Sequence, residues 1–394
     1  AKVTTAGGSI DVKAAAGVLT MDAGTASQST GATSGNIRYW GKGDVSLGAL
    51  TAGTAAVSIV SESGRILDAA NGNTDITAGS LRLNAGQSIG ELTGGNGPLD
   101  IAVGKVSAAA GAGGIALSQT GDLAVDSVAV NLWRVQGDGT TAVNPDLSDA
   151  AQSDLTTVGG GSIVLLATGN VTLLDGNNDF SAVKAGGTGN IRLAAGGTLT
   201  VESGVRSDGG ALTLLGTAIS QTADGDLSTS GASIDVEATA GSIAMADGAS
   251  AISSGAGDIR YKATGGIQVG QINAGTGNVG LTADSGSITD NSDAQVNLQG
   301  AGLRISAAGS VGELGSGKGA LETAVATVSA TAGAGGISLY EADDITVGAV
   351  AVGVTRVGTD GVKPAAADLI DVAQSDLTAG GNGSIVLRTA NGTL

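Results

Sequence analysis

Gly-Ser-Ile-Val-Leu-Leu-Ala-Thr-Gly-Asn-Val-Thr-Leu, residues 161–173, is the stretch whose reading sets the fold. Ile163 and Leu165 are two apart, so they share one face of a strand, and Val171 and Leu173 repeat the pattern eight residues on. Between the two phrases stands Ala-Thr-Gly-Asn, which is turn chemistry. The same phrase (Gly, any residue, aliphatic, any residue, aliphatic) recurs at Ile10/Val12, Ile37/Tyr39, Val57/Ile59, Leu81/Leu83, Ile115/Leu117, Ile191/Leu193, Leu212/Leu214 and Ile234/Val236. Its follower eight residues later recurs as well: Val45 after Ile37, Leu123 after Ile115, Leu199 after Ile191, Ile267 after Ile259 and Ile345 after Ile337. No stretch carries a sustained 3.6-residue period long enough for a major helix.

Short strands joined by tight turns, in coils of about 20–25 residues, specify an all-β parallel β-helix, that is, a β-solenoid. A right-handed form is the expected one. Each strand pairs with its equivalent in the next coil, and the inward aliphatics stack into one core that no single coil could bury alone. The rise is then ~4.8 Å per coil. With 70 Gly the chain invites a reading as disordered, but the aliphatic positions are too regular for that and there are only 3 Pro.

A longer period contains the short one. Gly-Asn-Ile-Arg-Tyr at 35–39 returns as Gly-Asp-Ile-Arg-Tyr at 257–261, and Gly-Ala-Gly-Gly-Ile at 111–115 returns at 333–337. Ala-Gln-Ser-Asp-Leu-Thr at 151–156 returns at 373–378, and Gly-Ser-Ile-Val-Leu at 161–165 returns at 383–387. Every pair is 222 residues apart, and roughly 60 of 138 positions match between 35–172 and 257–394 without a gap. Residues 1–222 thus form a first long repeat and 223–394 a second, incomplete one. The chain begins at Ala1 with no initiator Met or signal sequence, and it ends partway through a repeat; it reads as a segment of something longer.

Two regions, about 131–158 and 353–380, break the coil rhythm. The step from Ile115 to Ile163 is 48 residues, about twice a coil, so each region is expected to be an insertion projecting from the solenoid. Pro145-Asp146 through Leu155 has the makings of a short helix, with an Asp at its start and Leu147, Ala151 and Leu155 on one face. Charged residues recur in both inserts: Arg134, Asp138, Asp146, Asp149 and Asp154, matched by Arg356, Asp360, Asp368, Asp371 and Asp376. They form a candidate contact element for a neighbour or partner. The plainer reading is that each insert folds back over the solenoid side.

The formal net charge of −18 opposes nucleic-acid binding, which needs basic surface, and no run approaches a membrane span. His and Cys are both absent, which removes Ser-His-Asp and Cys-His chemistry and the usual zinc sites. The carboxylates are scattered through turn-like spacers, so no enzyme activity is expected; a polysaccharide-active enzyme on this fold would need one groove, not near-copies. No cofactor is expected. Calcium is the one ion weighed: Asp-Gly-Asn-Asn-Asp at 175–179 lacks the downstream bidentate Glu of an EF-hand, and 94–100 is not repeated in tandem. Tyr39 and Tyr261 hold an inward-type position in both repeats, whereas Trp40 and Trp133 are replaced by Lys262 and Thr355.

The Gly-Ser-Ile-x-Leu phrases, the Ala/Gly/Thr/Asn spacers, the acidity and the lack of Cys resemble the central repeats of large bacterial exoproteins. Filamentous-haemagglutinin-like adhesins and giant repetitive surface proteins of Gram-negative bacteria are the type. The resemblance covers the whole chain but lies in its general texture. No single motif is diagnostic, and the amino-terminal secretion domain of that family is not in this segment. It implies an extracellular or cell-surface fibrous protein serving adhesion, biofilm or a surface layer. Its partners are then other copies of itself or adjoining repeats, with host or cell-surface glycans or proteins bound through regions outside the segment. A self-assembling filament or sheath subunit is the alternative.

Overall fold

The computed structural model describes residues 1–31, 35–69, 72–141, 146–291, 295–315 and 319–393. It is all-β, with no helix among the described residues, and its parallel stacked coils form a β-solenoid of about 13 turns. Compactness divides the chain into two units: Ala1–Gly189 with Thr359–Gly361, and Asn190–Gly358 with Val362–Leu394.

In the first unit Ile10 stacks on Ile37, Ile37 on Val57, Val57 on Leu81 and Leu81 on Val106, all in parallel register. These steps are 27, 20, 24 and 25 residues, which is one coil each. Two residues on, Val12, Tyr39, Ile59 and Leu83 make a second inward row. The second unit repeats the scheme through Leu212, Ile234, Ile259, Val279, Leu303 and Val328. Ile37, Val57, Leu81, Val106, Ile259, Val279 and Leu303 have no solvent exposure. Each such side chain stabilises the fold by roughly 1.5–3 kcal/mol, and stacking is what makes the burial complete.

The order of stacking differs from the order of the phrases. Ile115 follows Leu81 as the next phrase in sequence, yet it lies in another row, parallel to Ile89 and Ile66. The reason is two long strands, Ile76–Ala85 and Leu99–Ala110, which run straight through a place where earlier coils turn. The chain therefore reaches the next phrase one side later. Leu298–Ala307 and Leu321–Ala332 do the same in the second unit, where Ile337 stands in line with Val311 and Ile288. Ile115 pairs directly with Ile163, and Ile337 with Ile385, so the 48-residue step is one coil plus an excursion.

Glycine is needed where coils press together. Gly114 (φ 83°) and Gly336 (φ 78°) occupy the left-handed region at equivalent corners. A Cβ at either would run into the backbone oxygen of Ser162 or Ser384 on the next coil. Only glycine meets both demands.

Candidate functional site

Both excursions are antiparallel hairpins, here called flaps. In the first unit Val128–Leu132 pairs with Leu147–Gln152; in the second Val350–Val354 pairs with Leu369–Gln374. The helix expected over 145–155 is therefore a strand over Leu147–Gln152; Pro145 lies outside the described residues. The cause is two-residue alternation: Leu147 and Asp149 are partly buried while Ser148 and Ala150 are exposed, a pattern a helix would scramble. Nor do the flaps project. Each folds back on the outer face of its own unit, with Val128, Val130 and Leu132, or Val350, Val352 and Val354, buried beneath it.

That outer face explains the docking. Strand alternation puts Asp11, Arg38, Ser58 and Arg82 outward in one row across successive coils. The flap closes on this row. Arg38 Nε donates to Asp149 at 2.8 Å and its Nη1 to Asp11 at 3.3 Å, while Ser58 Oγ donates to Asp149 at 2.6 Å. Arg134 Nη2 reaches Asp11 at 3.1 Å. Arg82 Nε donates to the Ala150 carbonyl at 3.0 Å, and Gln152 Nε2 to the Leu83 carbonyl at 2.7 Å. Asn36 ties both layers, donating to the Asn131 carbonyl and accepting from Ala56 N–H.

The second unit presents Asp235, Arg260, Gly280 and Arg304 in the same row. Arg260 pairs with Asp235 at 2.8 Å, Glu237 at 3.2 Å and Asp371 at 3.4 Å; Arg356 pairs with Asp235 at 2.8 Å and with Glu237. Arg304 Nε meets the Val372 carbonyl and Gln374 Nε2 the Ile305 carbonyl, matching the first unit. Asp258 takes the place of Asn36, accepting from Asn278 N–H and Gly353 N–H at 2.8 Å each. Val357 N–H donates to Thr213 Oγ1, and the Val357 carbonyl accepts from Arg192. Burial works against ionisation of Glu237, but the guanidinium groups of Arg356 and Arg260 outweigh it and hold the carboxyl below the usual range. At Arg260 burial opposes the charge, and Asp235 and Asp371 more than offset it.

The ten candidate residues therefore fall into groups. Arg134, Asp149, Arg356 and Asp371 clamp the flaps to their own coils. Asp146 and Asp368 accept from the N–H of Arg134 and Arg356 at 2.7 and 2.8 Å, fixing the start of each hairpin loop. Asp138 is exposed and accepts from Thr140 N–H and Oγ1 in a tip turn; its carboxyl lies below the usual range through those bonds. Asp360 is exposed. Asp154 (φ 67°) and Asp376 (φ 69°) stand where each flap returns to its coil, and their carbonyls accept from Ala108 N–H and Ala330 N–H. Asp154 is buried, and burial pushes its carboxyl up to about 6 against the opposing Ser153 hydroxyl.

The Asp175–Asp179 loop is held by its own carboxylates. Asp175 accepts from the N–H groups of Asn177, Asp179 and Phe180, and Asp179 from that of Ser181. Burial opposes ionisation of Asp175, but these N–H groups prevail and lower its carboxyl. Among the described residues no group of three or more His, Cys, Asp or Glu is placed to hold a metal ion. Tyr39 and Tyr261 are buried; their hydroxyls meet Ser27 Oγ at 2.5 Å and Gln221 Oε1 at 2.8 Å. Trp133 is exposed, and Lys13 lies over the Trp40 ring at 4.6 Å.

Sequence reasoning passed over the other half of each clamp: Asp11, Arg38, Asp235, Glu237 and Arg260. One signal was present. Arg38 and Arg260 stand between the two inward residues of a strand phrase, at an outward position, in both repeats. Comparison of the chain with protein-family models, with curated proteins and with solved structures returns no match.

Proposed function

We propose that this chain is a structural, stalk-forming stretch of a large secreted or cell-surface bacterial fibrous protein, serving adhesion, biofilm or a surface layer. The observation that carries this reading is the fate of the inserts. Four of their recurring ionic residues, Arg134, Asp149, Arg356 and Asp371, brace the coils beneath, so the flaps act as splints that stiffen each unit. A solenoid braced this way adds length at ~4.8 Å per coil and keeps its backbone hydrogen bonds internal. The acidic surface keeps neighbouring chains apart in solution. Analytical ultracentrifugation over a concentration series, with a parallel assay on acidic polysaccharides, tests the reading. A monomer that leaves glycans intact is the expected result. Polymer growing with concentration would replace it with a self-assembling filament, and glycan cleavage would replace it with an enzyme.

A further inference from the structure

Two carboxylates in the first unit are buried against each other. Asp68 and Asp75 are 3 % and 1 % exposed. Asp75 N–H donates to the Asp100 carbonyl at 2.8 Å, and Asp75 Oδ2 accepts from Asp100 N–H at 2.9 Å. That leaves Asp75 Oδ1 and Asp68 Oδ1 buried, with no donor for either. Two ionised carboxylates this deeply buried would leave those lone pairs with no protein donor to offset their charge.

The second repeat gives the key. Asp290 is the counterpart of Asp68, and Asn297 that of Asp75. Asn297 N–H donates to the Glu322 carbonyl at 2.9 Å, and Asn297 Oδ1 accepts from Glu322 N–H at 3.0 Å, as at Asp75. The remaining atom, Asn297 Nδ2, donates to Asp290 Oδ1 at 2.9 Å. The fold thus calls for a donor at this place. An amide supplies one at any pH; an aspartate supplies one only as the neutral acid.

We propose that Asp75 and Asp68 share one proton in the folded chain and that its loss loosens the coil junction they hold. The first unit is then sensitive to alkali at this point, and the second, with Asn297 in the same place, is not. With one proton on the pair, the Asp75 O–H donates to the Asp68 carboxylate and the two groups together carry one negative charge. On deprotonation the proton goes to solvent, and two charges are left side by side. The surroundings do not relieve them. The preceding coil offers Leu47, opposite Asp68, and Leu50, whose N–H meets the Asp75 carbonyl. The following coil brings Asp100, another carboxylate, and Glu91, which is taken by Arg65 at 3.3 Å. Among the described residues no Lys or Arg makes an ion pair with Asp68 or Asp75. Burial first, then the Asp68 carboxylate, pushes the Asp75 carboxyl up to about 8 against the opposing Asp100 N–H.

The sign of the effect follows. The folded junction holds a proton that the opened one releases at ordinary carboxylate pH. Its contribution is whole below about 4 and is lost as pH rises through about 8. Hydrogen exchange of the full chain from pH 5 to 9, corrected for the intrinsic rate, reads it. Opening at Asp75 and Ile76 should grow by about tenfold per pH unit until the pair has titrated, while Asn297 and Leu298 stay flat. Asp75→Asn should abolish the slope in the first unit, and Asn297→Asp should install one in the second. An unchanged slope in Asp75→Asn overturns the proposal, as does a flat second unit in a folded Asn297→Asp. If the latter does not fold, carboxyl carbon NMR of the unaltered chain decides. One of the two groups still protonated at pH 6 upholds the shared proton; both ionised at pH 6 refutes it.

Discussion

Arg38→Ala should unclasp the first flap while leaving the coils beneath it stacked. Arg38 joins Asp149 at 2.8 Å and Asp11 at 3.3 Å, and its side chain is only 8 % exposed, against 10 % for Asp149. Removing one partner of such a pair leaves a charge buried without its counter-ion, which costs about 3–5 kcal/mol. Asp11 keeps Arg134, so most of the loss falls on Asp149, whose remaining donor is Ser58. The flap can escape the cost by lifting off, because its two strands pair with each other and not with the coil ladder. At about 1.4 kcal/mol per decade, amide exchange at Asn131 and Leu132 should quicken by roughly 10² to 4 × 10³-fold. The core ladder from Ile37 to Val57 should change far less. Hydrogen exchange of the purified chain is the assay. Arg38→Met with Asp149→Leu should restore much of the protection, because an apolar pair needs no counter-ion. Unchanged flap exchange in Arg38→Ala would refute the clamp. Equal quickening of flap and coil would show that Arg38 braces the coil itself.

Three further substitutions probe other parts of the molecule. Gly336→Ala, at φ 78° and against Ser384, should cost more than the ~1 kcal/mol of an ordinary Gly change, read as a lower urea midpoint. Tyr261→Phe should cost about 1–3 kcal/mol by leaving Gln221 Oε1 without its 2.8 Å donor, measured the same way; no loss would mean the oxygen finds another partner. Burial favours the neutral form of Asp154, so its contribution is present below about 4 and lost as pH rises through about 6. Asp154→Asn, which tolerates the positive φ, should gain stability over the unaltered chain between pH 4.5 and 7; identical pH profiles would refute this.

The coil could be read directly because burial has a short-range signature. Ile163 and Leu165 lie two apart, and a strand with one dry face needs nothing more to declare which side chains go in. Tyr39 and Tyr261 were legible as inward for the same reason. The existence of the two excursions was legible as gaps in that rhythm, but their bounds were not: the flaps begin at Val128 and Val350, and Leu155–Thr157 and Leu377–Ala379 already belong to the coil ladder.

The sequence by itself determined that the chain coils, which aliphatics line its interior and where the coil is interrupted, since each follows from alternation within a few residues. Only the tertiary structure decided the rest. Whether Leu81 stacks on Val106 or on Ile115 depends on two long strands that run past a corner, and that is set only when the coils pair. The partner of Asp149 is Arg38, 111 residues away, and that of Arg134 is Asp11, 123 away. Charges find each other at such distances because the flap's apolar face, Val128, Val130 and Leu132, must leave water, and it does so by packing on the outside of its own coils beside Ala56.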